Sequence, residues 1–208
     1  MRKLIYSNAS PFARKVRVVL AEKGLDYEGD ASGHRGKPVA EIAKVNPNLV
    51  IPVFYDGDLT LFESNLILEY LLQTYPDTPA SGAEPPLAPA LTRPKHHWRD
   101  AKILATLETM AGAMVNLRHL TVDGVDARQA PYLGRHADRI QSCLDWLEEE
   151  ATYEGFCPGL FSIQDLNLIC HLEFASFRNI FPWHGRPRLE AIVALHGRRP
   201  ALEATRPA

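Results

Sequence analysis

Cysteine is scarce: Cys143, Cys157 and Cys170 are the only three, and none forms a C-x-x-C pair. That is too few and too scattered for a disulfide framework, so they read as buried thiols of a reducing compartment. No block of like charge exists either. The 23 basic and 25 acidic residues are spread along the chain and leave a formal net charge of −2, which argues against nucleic-acid binding. No apolar run approaches the roughly 20 residues that cross a bilayer. The stretch Met1-Arg2-Lys3-Leu4-Ile5-Tyr6-Ser7-Asn8 turns polar before a signal-peptide apolar segment is complete. The histidines lack metal-site spacing, and His96 and His97, being adjacent, would leave a helix in different directions. The expectation is a cytoplasmic protein with no metal centre, no membrane segment and no nucleic-acid partner.

What is present is an apolar fraction of 46% in 208 residues, enough for a packed core in one large or two small domains. Lys3–Ser7 reads as a short buried strand. Phe12, Val16, Val19 and Leu20 then recur at helical spacing, with Arg14, Lys15 and Arg17 off that stripe and expected to face water. Gly24 is a good helix stop. A weaker strand surrounds Tyr27, residues 29–37 read as loop, and Pro38–Val45 suits a short helix. VIPVFY (50–55) and LTLF (59–62), separated by Asp56-Gly57-Asp58, predict a hairpin. SNLILEYLLQTY (64–75) predicts a further helix. The order β-α-β-α-β-β-α is that of a mixed sheet layered with helices.

Six prolines between Pro76 and Pro94 mark a linker. Beyond it strand signals vanish, and helical patterns cover about 95–119, 131–150, 163–178 and 188–196. The expected organisation is an α/β domain over 1–77, a linker over 78–93 and an all-helical domain over 94–208.

Three stretches carry candidate chemistry. Ser10-Pro11 opens the first helix, serine as N-cap and proline at the position whose N–H would be orphaned. The same geometry offers partial positive charge and a hydroxyl donor to an anion such as a thiolate. Pro52, inside an apparent strand, demands an edge or an irregularity. A cis Ile51–Pro52 bond would free the backbone of Ile51 to pair with an extended peptide-like ligand; the competing reading is a structural kink. Glu63-Ser64 stands where strand meets helix. Ser64 either simply caps that helix or, with the free N–H groups, holds a carboxylate while Glu63 takes an ammonium. Together the three stretches describe a peptide ligand with an α-amino-acid head, an extended backbone and a thiol near Ser10, which is a description of glutathione.

In order and spacing, SPFARKVRVVLAEKGL, NPNLVIPVFYDGDLTLFESNLILEYL and FSIQDLNL resemble the cytosolic glutathione S-transferases, of the bacterial type with serine at the thiol-activating position. The resemblance implies a thioredoxin-like N-terminal domain followed by an all-α C-terminal domain. It implies a transferase that activates the thiol of bound glutathione for attack on a small hydrophobic electrophile, usually as a homodimer. Ser10 would orient and activate the thiol, with Tyr6 as the rival activator and Phe12 at the edge of the site. Ile51 would pair through its backbone with the cysteinyl part, and Pro52 would be the cis proline of the fold. Val50 would stand at the position next to the glycyl carboxylate, and Glu63 and Ser64 would bind the γ-glutamyl head. Where the family commonly has Asn-Pro-x-Gly-(basic)-Val-Pro, this chain has Leu49 and Val50 at the glycine and basic positions. His34, Arg35 or Lys37 would then be substitutes for the missing partner of the glycyl carboxylate.

Serine in place of cysteine removes the sulfur that a thiol-transferase needs for a mixed disulfide. Trp98, Met110 and Met114 are candidates for the electrophile pocket, with core packing as the competing reading. Ser162-Ile163-Gln164-Asp165 has the character of a capping box, with aspartate for the usual Glu/Gln, and reads as a folding element. LDWLEEE (144–150) reads as a solvated helix end. The alternative function is a non-catalytic, transferase-fold module for protein interaction or stress response, kept open by Leu49 and Val50.

Overall fold

The computed structural model describes residues 1–33, 42–76 and 82–208. His34, Arg35 and Lys37 lie outside them, as does the first half of the helix expected at 38–45, of which Ile42 and Ala43 are helical. The chain divides into two compact units, Met1–Leu91 with Arg198–Ala208, and Thr92–Gly197.

The first unit is built on β1 (Arg2–Ile5), α1 (Pro11–Glu22), β2 (Glu28–Asp30), β3 (Val53–Asp56), β4 (Leu59–Phe62) and α2 (Ser64–Thr74). The strands form one mixed sheet in the order β2-β1-β3-β4. β1 runs parallel to β2 and antiparallel to β3, and β3 pairs antiparallel with β4 across the expected Asp-Gly turn. Gly57 takes φ 58° there, which glycine adopts without steric cost. Leu4, Val16, Leu20, Phe54, Ile67 and Leu71 are fully buried and make the centre of this unit; such side chains each contribute about 1.5–3 kcal/mol on leaving water. This is the thioredoxin-like α/β arrangement.

α1 behaves at its ends as its sequence predicts. Ser10 is the N-cap and Pro11 the first helical residue. Beyond the last turn, Gly24 has φ 62°. Its N–H bonds the Ala21 carbonyl, and the Leu25 N–H bonds that of Leu20, the paired closure of a Schellman motif.

The outer face of α1 is a correction. Arg14 and Lys15 do not face water: they are 1% and 0% exposed. Arg14 Nη2 donates to the Leu202 carbonyl at 3.0 Å, and Lys15 Nζ donates to Asn65 Oδ1 at 3.0 Å. Arg17 is half-buried, its guanidinium 4.8 Å from the centre of the Tyr6 ring. α1 is covered on two sides, by α2 and by a C-terminal helix, α7 (Pro200–Ala204). The sequence patterns had not marked α7, and the helical domain was expected to run to 208. The structure instead groups Arg198–Ala208 with the first unit, because Arg199 is bonded to Glu22 and to the Pro85 carbonyl.

The second unit is all-helical: α3 (His97–Val122), α4 (Pro131–Glu150), α5 (Ile163–Arg178) and α6 (Pro187–His196). α3 packs on α4 and α5, and α6 on α4 and α5. Buried Asp100, in the first turn of α3, takes a two-pronged bond from the Arg93 guanidinium and a third from its N–H. The 144–150 stretch is not merely solvated. Glu148 accepts the N–H groups of Arg188 and Leu189 at the start of α6, and Glu150 accepts from Arg99. A carboxylate at a helix N-terminus satisfies orphaned donors and the helix dipole together.

The capping box at α5 is complete. Ser162 Oγ accepts the Asp165 N–H at 3.1 Å, and Asp165 Oδ2 accepts the Ser162 N–H at 3.1 Å. Asp165 Oδ1 also accepts the Phe156 N–H at 2.9 Å. Gly155, with φ 112°, lies so close that a Cβ there would sit 2.9 Å from the Asp165 carboxylate. No described helix is long and apolar enough to cross a membrane.

Candidate functional site

Strand register decides which loops meet. Ile5 pairs with Asp30 and with Val53, and Val53 pairs with Phe62. The C-terminal ends of β1 and β4 and the beginning of β3 therefore stand side by side at one end of the sheet. The segments next to those residues are Tyr6–Ser10, Ile51-Pro52 and Glu63-Ser64. Three stretches far apart in sequence are thus brought to one sheet end.

Ser10 Oγ accepts the Ala13 N–H at 3.2 Å. Its own O–H donates to no group among the described residues, which leaves it free for a ligand. The Tyr6 carbonyl accepts the Gly33 N–H at 3.0 Å, and a Cβ on Gly33 would come 2.8 Å from the Ile51 side chain. That close approach ties the end of β1, the loop after β2 and the Ile51 turn together. The Ile51–Pro52 peptide is cis, and among the described residues the backbone groups of Ile51 have no backbone partner. Phe12 is half-buried in the first turn of α1, with Lys15 Nζ 5.5 Å from the centre of its ring.

Glu63 rather than Ser64 is the N-cap of α2, and it makes no side-chain cap bond. The simple capping reading of Ser64 is therefore corrected. Ser64 is the first helical residue, 5% exposed, and its hydroxyl has no partner among the described residues. Glu63 has φ 69° and ψ 111°, a sparsely populated conformation for a residue with a Cβ, of the kind that clusters at binding sites. The N–H groups of the first turn of α2 are left without a side-chain cap, the usual setting for an anion.

Sequence reasoning missed the polar clamp behind Glu63. Asn46 has no exposed surface. Its Oδ1 accepts the Asn48 N–H at 2.9 Å, and its Nδ2 donates to the Val50 carbonyl at 2.7 Å. Asn48 Nδ2 then donates to Glu63 Oε1 at 2.6 Å. The signal was present in Asn46-Pro47-Asn48, since asparagine bonding its own backbone two residues on is a turn device. Leu49, at the position where glycine was expected, takes φ 58° all the same. Leu49 and Val50 are both exposed.

The pocket candidates are not brought together. Met110 and Met114 have no exposed surface and belong to the core of the helical unit, whereas Trp98 is 82% exposed near the start of α3. Cys157 and Cys143 are not activated: burial, and then the charge of Asp100, push the Cys157 thiol up to about 11. Burial also raises Cys143. Thiols shifted upward are poor nucleophiles.

Comparison with known proteins agrees with this fold. The family model described as the glutathione S-transferase N-terminal domain matches residues 4–79. A stringent starvation protein A homolog of Coxiella burnetii is 39% identical over 70 residues, 33% of this chain and 32% of that protein. Glutathione S-transferase Z2 of Arabidopsis thaliana is 34% identical over 111 residues, 50% of this chain and 42% of that protein. The aligned stretches thus span less than half the length of these curated relatives. Among solved structures, a glutathione S-transferase of Methylobacillus flagellatus with glutathione bound superposes with a TM-score of 0.81 at 24% identity, over 100% of both chains. A glutathione transferase family member of Pseudomonas fluorescens with bound glutathione gives 0.77 at 26% identity, again over 100% of both chains.

Proposed function

We propose that this chain, which through its first domain belongs to the glutathione S-transferase family, is a glutathione transferase that ionises the thiol of bound glutathione and directs it at a small hydrophobic electrophile. The observation that carries the reading is the convergence of Ser10, Ile51-Pro52 and Glu63-Ser64 through the register Ile5–Val53–Phe62. Glutathione is bound in the two full-length structural neighbours above, which supports the same ligand here.

The γ-glutamyl and cysteinyl parts of the tripeptide each have a counterpart. The γ-glutamyl carboxylate meets the uncapped N–H groups of α2 and the Ser64 hydroxyl, and its ammonium meets Glu63. The cysteinyl backbone pairs with that of Ile51, as an added strand would. The sulfur lies at the start of α1, where the Ser10 O–H donates to it. A thiol near ~8.5 is only a few per cent ionised at neutral pH, and lowering it by two units corresponds to about 2.7 kcal/mol. A hydrogen bond to a charged partner contributes about 1.5–3 kcal/mol, so Ser10 can provide much of that shift. With a chloronitroarene, the thiol proton leaves to solvent, the thiolate forms the new carbon–sulfur bond, and chloride departs with the electron pair of the broken bond. In this reading the protein acts in the cytoplasm as a homodimer, which light scattering of the purified protein measures.

A second reading is favoured by one group of relatives. The Coxiella burnetii protein bears the name of a stringent starvation protein, and Leu49 and Val50 replace the usual glycine and basic residue. Under that reading the fold serves protein interaction or a stress response without conjugation. Retention on immobilised glutathione, combined with conjugation of a chloronitroarene at millimolar glutathione, separates the two. Retention with turnover supports the transferase; neither would leave the interaction module.

A further inference from the structure

The polar clamp behind Glu63 has a chemical property that bears on recognition. Asn46, Asn48, Leu49 and Val50 form one tight turn in which the buried Asn46 side chain bonds both the Asn48 N–H and the Val50 carbonyl, and the Leu49 N–H bonds the Asn46 carbonyl at 3.2 Å. The Asn48 side chain therefore leaves a backbone held from both sides, and its Nδ2 meets Glu63 Oε1 at 2.6 Å. A glutamate beside a helix N-terminus would otherwise be drawn to the uncapped N–H groups and the dipole of α2. Glu63 makes no such bond. Its Oε2 has no partner among the described residues.

The donor type matters as much as the distance. A lysine or arginine in place of Asn48 would hold the carboxylate and also neutralise it. An amide donor holds it while leaving the full negative charge for an incoming cation. One oxygen is committed to orientation and the other stays open, which is the arrangement that receives a primary ammonium. The geometry points to Asn48 as a positioning residue that aims Glu63 at the α-ammonium of the ligand's amino-acid head. This assignment rests on the transferase reading for its ligand and adds to it a residue and a division of labour.

The test is calorimetric titration of the full-length protein, Asn48→Ala, Glu63→Gln and the double variant, each with glutathione and with glutathione lacking its α-amino group. Asn48→Ala is expected to weaken glutathione about fivefold to tenfold and to leave the deaminated ligand within about twofold. The double variant is expected to bind glutathione no more weakly than Glu63→Gln alone, because Asn48 acts only through that carboxylate. Equal weakening of both ligands by Asn48→Ala would show a merely structural role and overturn the proposal. Unchanged glutathione affinity would overturn it as well, with the transferase reading intact. Failure of the unmutated protein to bind glutathione would remove that reading and the proposal with it.

Discussion

Arg199 and Glu22, 177 residues apart, form a two-pronged buried ion pair, Nε to Oε1 at 3.0 Å and Nη2 to Oε2 at 2.8 Å. Their side chains are 4% and 1% exposed. The third guanidinium nitrogen, Nη1, donates to the Pro85 carbonyl at 2.7 Å, so one side chain fastens the C-terminal segment to α1 and to the proline-rich stretch. Removing one partner of a buried pair leaves an uncompensated charge and costs about 3–5 kcal/mol. Glu22→Ala is expected to lower unfolding free energy by that amount in a urea titration and to raise hydrogen exchange at residues 198–208. A loss below 1 kcal/mol would mean that the pair fastens nothing.

Ser10→Ala separates the cap from the activator. Loss of the Ala13 N–H acceptor costs about 1 kcal/mol of stability in either case. Loss of the donor to a thiolate reduces turnover a further tenfold to a hundredfold, about 1.4–2.8 kcal/mol of barrier. Steady-state rates with saturating glutathione read this directly. Unchanged turnover would transfer the activating role to Tyr6, to be tested with Tyr6→Phe.

Leu49 holds a backbone conformation that suits glycine, φ 58°, while 50% of its surface is exposed. An L-residue in the left-handed region costs about 1–2 kcal/mol, and glycine returns about 0.5–1 kcal/mol of that through its freer unfolded chain. Leu49→Gly is therefore expected to raise stability by about 0.5–1 kcal/mol. Leu49→Val, β-branched and worse placed at positive φ, is expected to lower it. Thermal denaturation of both variants checks the pair; equal effects in one direction would contradict the assignment.

Asp165 yields a pH dependence of definite sign. Burial raises its carboxyl to about 6, outweighing the bonds from Ser162 and Phe156 that favour the charged form. The folded protein thus holds this proton more tightly than the unfolded chain. Its contribution to stability is present below the ordinary carboxyl value near 4 and is lost as pH rises towards 6. Asp165→Asn removes the titration together with part of the capping box. The destabilisation it causes should be larger at pH 4 than at pH 7, by up to about 3 kcal/mol. A penalty that grows with pH in urea titrations would show that the carboxylate is favoured instead.

Local signals accounted for much of the fold and part of the site. Ser10-Pro11 could be read because a cap and its helix are adjacent in the chain, and the Asp-Gly hairpin because both strands flank their own turn. The box at Ser162 and Asp165 spans only three residues. Arg14 and Lys15 were misread for the opposite reason. Periodicity ranks faces by apolarity and cannot know that α2 and α7 will cover a charged face and supply oxygen acceptors. For Met110 and Met114 the sequence left two readings open, because helical spacing puts them on a helix but does not say whether that face meets a cleft or a core.

By itself the sequence determined most of the elements, several of their ends and the residue types offered to a ligand, because caps, turns and patterning act over a few residues at a time. Only the tertiary structure decided which of them meet. Pairing of Ile5, Val53 and Phe62 across three strands brings Ser10, Ile51 and Glu63 to one sheet end. Asn48 reaches Glu63, and Arg199 reaches Glu22, across chain separations that no local preference spans. Such contacts exist only after the sheet and helices have closed around a common core, and the candidate site is made of them.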